Sequence, residues 1–197
     1  MTPADQSRPP RRDLSFEREP ARRVFASELR EARVQFRDGT DEKSPSYVLL
    51  PTGERCNRVF IVGAFTEKKR QGDQNIFYRA RVADPTGTFS VMAGSYQPEA
   101  MQQIARIEPP AFVAVVGKPS LYETPDGAII VSVRAESATI VEREVRDCWV
   151  LDTAQKTLDR IDAIGKTPDS ERAAQEYHID PVVYRKMVYD ALSQLKM

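Results

Sequence analysis

The order of apolar segments between residues 58 and 141 limits the folds available to this chain more than any other feature. Five segments are rich in β-branched or alternating apolar residues and are predicted to be strands: 58–66, 76–83, 88–96, 111–118 and 128–141. Between the third and fourth, residues 97–107 carry apolar side chains at helical spacing and end before Pro109-Pro110. Asp84-Pro85-Thr86-Gly87 marks a tight turn between the second and third strands.

Three strands, a helix and two further strands follow one another in the oligonucleotide-binding (OB) fold, a five-stranded Greek-key barrel. The isolated Gly63 in the first strand suits the sharp bend of a barrel corner. In the second strand, Ala80 and Val82 alternate with Arg79 and Arg81, which predicts one face toward the core and one toward solvent. We therefore predict a mainly β chain, built on an OB barrel with an N-terminal arm and C-terminal α-helices.

The segments before and after the predicted barrel differ from it, and from each other, in composition. Residues 1–45 are predicted to be a basic, partly flexible arm and linker, residues 46–143 the OB domain, and residues 144–197 a helical region. Within the helical region we expect one helix over 149–165 and two more within 168–197, each of the latter starting at a proline.

The arm divides further by composition. Residues 1–20 are rich in proline and arginine and are expected to be flexible. Residues 21–36 contain Val24, Phe25 and Leu29 and are expected to pack onto the barrel as a short helix or hairpin.

The charge balance and the motifs argue against several functional classes. Twenty-nine basic and 29 acidic residues cancel, and no apolar run approaches the roughly 20 residues that span a bilayer. The sequence opens without an apolar segment and contains two cysteines, which predicts a cytoplasmic protein. His178 is the single histidine, and the common nucleotide, zinc-protease and hydrolase motifs are missing. We predict no enzyme activity, no cofactor and no metal site.

Candidate ligand contacts follow from the predicted barrel, because OB folds bind oligonucleotides across strands 2 and 3, between the 1–2 and 4–5 loops. Basic residues are expected to contact phosphates and aromatic residues to stack on bases. The candidates are Lys68, Lys69 and Arg70 in the first loop, Phe77, Arg79 and Arg81 on strand 2, Tyr96, Lys118 and Arg134 on later strands, and Tyr122 in the 4–5 loop. The alternatives are a solvated charge run, tyrosines that only pack, and a Phe77 covered by the N-terminal segment.

A narrow apolar seam marks the first C-terminal helix. Leu151, Ala154, Leu158 and Ile161 repeat at steps of three and four. Such a helix either packs on its own barrel or meets a partner helix. We predict that these four residues form the main assembly element.

Several segments of the sequence resemble archaeal replication protein A accessory subunits, OB-fold counterparts of the middle subunit of the eukaryotic single-strand-binding heterotrimer. They are REPARRVFASELREA, PTGERCNRVFIVGAFTEK, YRARVADPTGTFSVMAGSYQPEA, PAFVAVVGK and VSVRAE. The resemblance covers about residues 19–165. It implies binding of single-stranded DNA in replication and repair, in a complex with a larger replication protein A subunit.

The resemblance also assigns places to particular residues. Arg79 and Arg81 match outward positions on strand 2, Tyr96 an aromatic at the end of strand 3, and Tyr122 an aromatic of the 4–5 loop. A helix just after the barrel joins a bundle with other subunits in such heterotrimers. Longer relatives end in a winged-helix domain, whereas residues 166–197 supply two helices and no strand pair.

Two other functions are compatible with the sequence. The chain could be a scaffold subunit with little DNA affinity whose C-terminal helices bind protein, including a second copy of the chain. It could also be an RNA-binding OB protein.

Overall fold

The computed structural model describes residues 19–40 and 44–195. Nearly all of the arm predicted over 1–20 lies outside these residues. The elements, in chain order, are α1 (Ala26–Arg30), β1 (Val34–Arg37), β2 (Ser46–Leu49), β3 (Arg55–Cys56), β4 (Val59–Gln71), β5 (Phe77–Asp84), β6 (Gly87–Gly94), α2 (Pro98–Arg106), β7 (Ala111–Glu123), β8 (Ile129–Ile140), α3 (Arg143–Asp162), α4 (Pro168–Tyr177) and α5 (Pro181–Ser193).

Strands β4 to β8 close into a barrel with the order β4-β5-β6-β8-β7. Four pairings are antiparallel, and a short parallel pairing of Val91 with Val133 and of Met92 with Arg134 completes the circle. Helix α2 lies between β6 and β7 and buries Ala100 and Ile104. The predicted OB fold is thus confirmed.

Two barrel strands run further than predicted. Strand β4 continues through Lys68, Lys69 and Arg70 as far as Gln71, because these residues keep pairing with β5. Strand β7 continues to Glu123 because its end pairs with β8. The basic run and Tyr122, which we predicted to lie in loops, therefore lie on extended hairpins. Polar composition suggested loops there, whereas hairpin pairing imposes strands.

Residues before the barrel form a second, smaller sheet. β1, β2 and β3 pair antiparallel in that order and are not part of the barrel. The barrel strands begin at Val59, close to the start of the first predicted strand at residue 58, and β2 and β3 lie within the predicted OB domain but outside the barrel. The segment 21–36, for which a helix or a hairpin was expected, contributes both α1 and strand β1, and its side chains Val24, Phe25 and Leu29 are buried.

A buried polar network fixes α1 against α3. The Glu28 carboxylate, fully buried, accepts hydrogen bonds from Arg160 at 2.9 and 3.1 Å, from the Thr52 hydroxyl at 2.9 Å and from the Thr157 hydroxyl at 2.9 Å. Arg160 also donates to Glu54 at 3.0 Å. Buried charges require partners of this kind, since water cannot replace them. The network joins three separate parts of the chain: α1, the turn with Thr52 and Glu54, and α3.

Helix α3 begins at Arg143, six residues before the predicted start, and Trp149 anchors it to the barrel. The Trp149 indole nitrogen donates to the Phe60 carbonyl at 2.9 Å, and its ring packs edge-on against Phe25 with centroids 5.8 Å apart. Helices α4 and α5 start at prolines as predicted, with side-chain caps from Thr167 and Asp180. Among the helices of the described residues, none is long and apolar enough to cross a membrane.

The predicted seam on α3 is mostly occupied by the chain itself. Ala154 and Ile161 are buried, and Leu158 is partly buried against the main core. Only Leu151 is exposed, at 54%. The apolar face of α3 includes Trp149 and packs on the barrel and α5, as the first of the two expected arrangements requires. The role of the four residues in assembly stays a prediction.

Candidate nucleic-acid interface

In-register pairing aligns five side chains in one row across the outer surface of the barrel. Lys69 pairs with Arg79, Arg79 with Met92, Met92 with Arg134, and Arg134 with Lys118. Directly paired residues point to the same face of a sheet. We call Lys69, Arg79, Arg134 and Lys118 the cation row. It crosses all five strands, with the apolar Met92 at its centre.

The two ends of the cation row differ in their partners. Within the described residues, neither Lys118 nor Arg134 has a carboxylate within 4.0 Å, and Arg79 makes only a 3.4 Å contact with the Ser90 hydroxyl. Lys69, in contrast, donates to Glu67 at 2.7 Å. The positive charge is therefore open to a ligand at the β8–β7 end and partly neutralised at the β4 end.

Glu67 is the acidic residue that neutralises this end. It lies 3.3 Å from Arg81 as well as 2.7 Å from Lys69. The hydrogen bond from Lys69 lowers the pKa of the Glu67 carboxyl, and the charge of Arg81 adds to the effect. Glu67 is thus ionised at neutral pH. Sequence reasoning did not select it, because its pairing with both cations depends on the strand register.

The three consecutive basic residues of β4 do not act as one cluster. Lys68 pairs with the buried Ala80 and so points away from Lys69. Its ammonium donates to the Ala105 carbonyl at 2.7 Å and to Glu108 at 2.8 Å, at the C-terminal end of α2. A cation stabilises a helix C-terminus in this position. Lys68 and Lys69 therefore lie on opposite faces of β4, and Lys68 is not part of the cation row.

Arg70 follows the same alternation. It pairs with Tyr78, so it lies on the face opposite to Lys69 and Arg79. Because successive strand side chains point to opposite faces, only Lys69 of the three belongs to the cation row.

A shallow groove of about 260 Å³ lies beside the row. Phe77 and Met92 give it an apolar side, whereas Ser120, Ser132 and Arg134 give it a polar side. Phe77 takes the outward direction predicted for it, with Arg79 and Arg81. A side chain at Gly94, which pairs with Phe77, would come within 3.3 Å of the Phe77 Cβ. Gly94 therefore leaves space on the sheet for the Phe77 ring.

Two tyrosines flank this surface with their rings in solvent. Tyr96, in the turn after β6, is 94% exposed. Tyr122 is 61% exposed and pairs with Ile130 near the tip of the β7–β8 hairpin. It alternates with Ser120 and Lys118, so it shares their face. Both rings are accessible for stacking, and neither is a core residue.

The same surface carries no arrangement that suggests catalysis by a metal. Across residues 19–40 and 44–195, no group of three or more His, Cys, Asp or Glu side chains could hold a metal ion. His178 ends α4 in a left-handed conformation, with φ of 50°. It lies on the helical part of the chain rather than on the barrel face.

No protein-family model matches this sequence, and a comparison with curated proteins gives no match. Solved structures do resemble it. A chain in the crystal structure of the S. pombe Stn1–ten1 complex matches with a TM-score of 0.51 and 16% identity, covering 78% of this chain and 98% of that one. This likeness supports the OB fold.

Two shorter matches are to single-stranded DNA-binding proteins. The mitochondrial protein Rim1 of S. cerevisiae has a TM-score of 0.35 and 16% identity over 43% of this chain and 94% of its own. The second such protein of Mycobacterium smegmatis, SSBb, has a TM-score of 0.37 and 20% identity over 43% of this chain and 84% of its own.

Proposed function

We propose that this chain binds single-stranded DNA across the outer face of its barrel, without regard to base sequence. The observation that carries the proposal is the cation row, in which Arg79, Arg134 and Lys118 lie on the outer face, with Met92 between the two arginines. None of the three has a carboxylate within 4.0 Å in the described part of the chain. A phosphate backbone supplies the missing negative charge. The exposed rings of Tyr96 and Tyr122 supply stacking, which every base can accept.

The binding experiment is a titration with fluorescent oligo-dT at several salt concentrations. Each phosphate neutralised on a single strand contributes about −0.7 to the slope of log K against log salt, so three to five contacts give roughly −2 to −3.5. A duplex of equal length is the control and should bind more weakly. A flat salt response, or a preference for the duplex, would contradict the proposal.

We further propose that the chain acts as a subunit of a replication protein A-type complex in DNA replication and repair. The sequence resemblance supports this role. The Stn1–ten1 structure, which shares the fold at low identity, is itself that of a complex. The expected partner is the larger replication protein A subunit.

A second candidate function is that of a scaffold subunit, and exposed apolar side chains favour it. Leu151 on α3 is 54% exposed, and Val182, Val183 and Tyr189 on α5 are 68%, 61% and 71% exposed. An assembly surface built on these helices would also permit a homo-oligomer.

Leu151→Asp is the variant that tests assembly, because it changes an exposed residue. It should abolish co-purification with the larger subunit while the circular dichroism spectrum stays unchanged. Leu158→Asp is less suitable, since Leu158 packs against the chain's own core and the variant would lose stability. If Leu151→Asp assembles as the wild type does, α3 is not the assembly element. Oligo-U in place of oligo-dT tests RNA binding in the same titration.

A further inference from the structure

A second groove, larger than the one on the barrel face, separates the small sheet from the barrel. It has a volume of about 620 Å³ and lies between strands β1 and β2 on one side and strands β7 and β8 on the other. We call it the cleft. Ser120 and Arg134 line both the cleft and the groove on the barrel face, and Lys118 lines the cleft beside them. The two grooves therefore meet at the open end of the cation row.

Hydrogen bonds within the chain hold the walls of the cleft in place. Strand β7 pairs with β4 only as far as Gly117, so its edge beyond that residue faces the small sheet. Gln35 of β1 bridges the gap: it accepts from the Leu121 amide at 2.9 Å and donates to the Ser46 hydroxyl at 3.0 Å. Asn57 donates to the Ser46 carbonyl at 2.8 Å. A preformed site loses less conformational entropy when it binds.

The lining of the cleft is basic and polar. Of its two carboxylates, Glu136 lies 2.7 Å from Arg58, and Glu19 accepts a hydrogen bond from the Tyr47 hydroxyl. Lys118 and Arg134 add two cations that have no carboxylate within 4.0 Å in the described part of the chain, and Arg37 also lies in the lining. Positive charge is therefore in excess, as a phosphate site requires.

The cleft differs from the barrel face in its aromatic content. Tyr47 is the aromatic residue in its lining, and it is only 5% exposed. Its ring stacks on Phe36, with centroids 5.8 Å apart, rather than facing a ligand. The cleft thus offers charge and hydrogen bonds without a platform for a base. This chemistry fits a sugar–phosphate backbone.

We propose that a DNA single strand crossing the cation row leaves the barrel at Lys118 and continues into the cleft, where Arg37 and the neighbouring polar groups bind its backbone. The inference rests on the proposed single-strand binding and extends it. It makes the chain a binder with two adjoining parts: the barrel face holds stacked bases, and the cleft holds only the backbone.

The test compares oligo-dT probes of two lengths, about 4 and about 16 nucleotides, which span the range bound by single OB folds. Full-length wild-type protein should bind the long probe more tightly and with a steeper salt slope. Arg37→Ala should leave the short probe unaffected, weaken the long probe by about tenfold and lower its salt slope by about 0.7. Arg79→Ala, on the barrel face, should weaken both probes.

Two further variants complete the design. Ser44→Glu places a negative charge in the lining of the cleft and should weaken only the long probe, so that the result does not depend on Arg37 alone. Arg30→Ala removes an exposed arginine that lines neither groove and should change nothing.

The outcomes separate the inference from the proposed function. If Arg37→Ala and Ser44→Glu bind the long probe as the wild type does while Arg79→Ala weakens both probes, the cleft is not a DNA site and the barrel site stands. If the wild-type protein binds neither probe, both proposals fail. A loss confined to the long probe in both cleft variants supports the extended path.

Discussion

Two arginine–glutamate pairs in this chain have the same chemistry and opposite surroundings. Arg160 lies 2.9 Å from Glu28, with side chains 8% and 0% exposed. Arg81 lies 3.3 Å from Glu67, with side chains 64% and 35% exposed. In the buried pair each charge depends on the other, because no water can replace its partner. In the exposed pair, water and salt compete with the contact, so a phosphate can replace the carboxylate. The first pair therefore stabilises the fold, and the second reduces the positive charge of the proposed ligand surface.

The largest effect is expected from breaking the buried pair. Arg160→Ala leaves the Glu28 carboxylate buried without its main partner and should lower the free energy of unfolding by about 3–5 kcal/mol. Denaturant unfolding measures the loss. Arg81→Ala is the matched control and should stay within about 0.5 kcal/mol of the wild type. Equal stability of the two variants would show that burial does not distinguish these pairs.

The second largest effect is expected from removing the two cations at the open end of the cation row. The double variant Lys118→Ala/Arg134→Ala should weaken oligo-dT binding by about 3 kcal/mol, roughly 100-fold, because two charge-assisted contacts disappear. The melting temperature should not change. Arg30→Ala/Lys166→Ala removes the same charge from exposed positions outside the row and should bind normally. If both double variants lose affinity equally, net charge rather than the row governs binding.

Stacking is expected to contribute less than the cations. Tyr122→Ala, and separately Tyr96→Ala, should weaken binding by about 1–3 kcal/mol and leave the melting temperature nearly unchanged. Tyr189→Ala, 71% exposed on α5, is the control and should bind as the wild type does. Fluorescence titration at constant salt measures all three. Unchanged affinity in both test variants would exclude stacking as a source of binding.

The smallest effect is expected from changing the exposed pair, and it should increase affinity for DNA rather than decrease it. Glu67 is ionised at neutral pH because Lys69 lowers its pKa, so Glu67→Gln removes a full negative charge and frees Lys69 and Arg81. Binding should tighten, and the salt slope should steepen by about 0.7 for each phosphate gained. Glu176→Gln, exposed on α4, controls for net charge. Weaker binding by Glu67→Gln would mean that Glu67 positions the two cations for the ligand.

The barrel could be predicted because its determinants are local. Period-two alternation placed Ala80 and Val82 inside and Arg79 outside, and the structure agrees. The positions at which the strands end, in contrast, depend on pairing with distant residues. Polar residues such as Lys69 and Tyr122 resemble loop residues until a hairpin partner is known, and only the strand register shows that Arg134 lies between Met92 and Lys118.

The flanks were harder to predict, because distant contacts decide them. The α3 seam resembled an assembly face, yet Ala154 and Ile161 are buried within the chain. The small sheet depends on pairing between Val34–Arg37 and Ser46–Leu49, and Lys68 turns away to reach Ala105. None of these three arrangements can be derived from a residue and its neighbours in the sequence. The sequence therefore predicts which kinds of side chain form the candidate site, but it does not show which of the named residues lie on one surface.

The Glu28 network also has a consequence for the order in which the molecule can form. Glu28 and Arg160 are 132 residues apart in the chain. At roughly 5–20 residues per second, synthesis takes about 7–26 s to pass from one to the other. During that interval the Glu28 carboxylate has to remain hydrated, so α1 cannot reach its final place while the barrel strands emerge. We therefore expect α1 to be among the last of the described elements to settle, although it is made before the barrel strands.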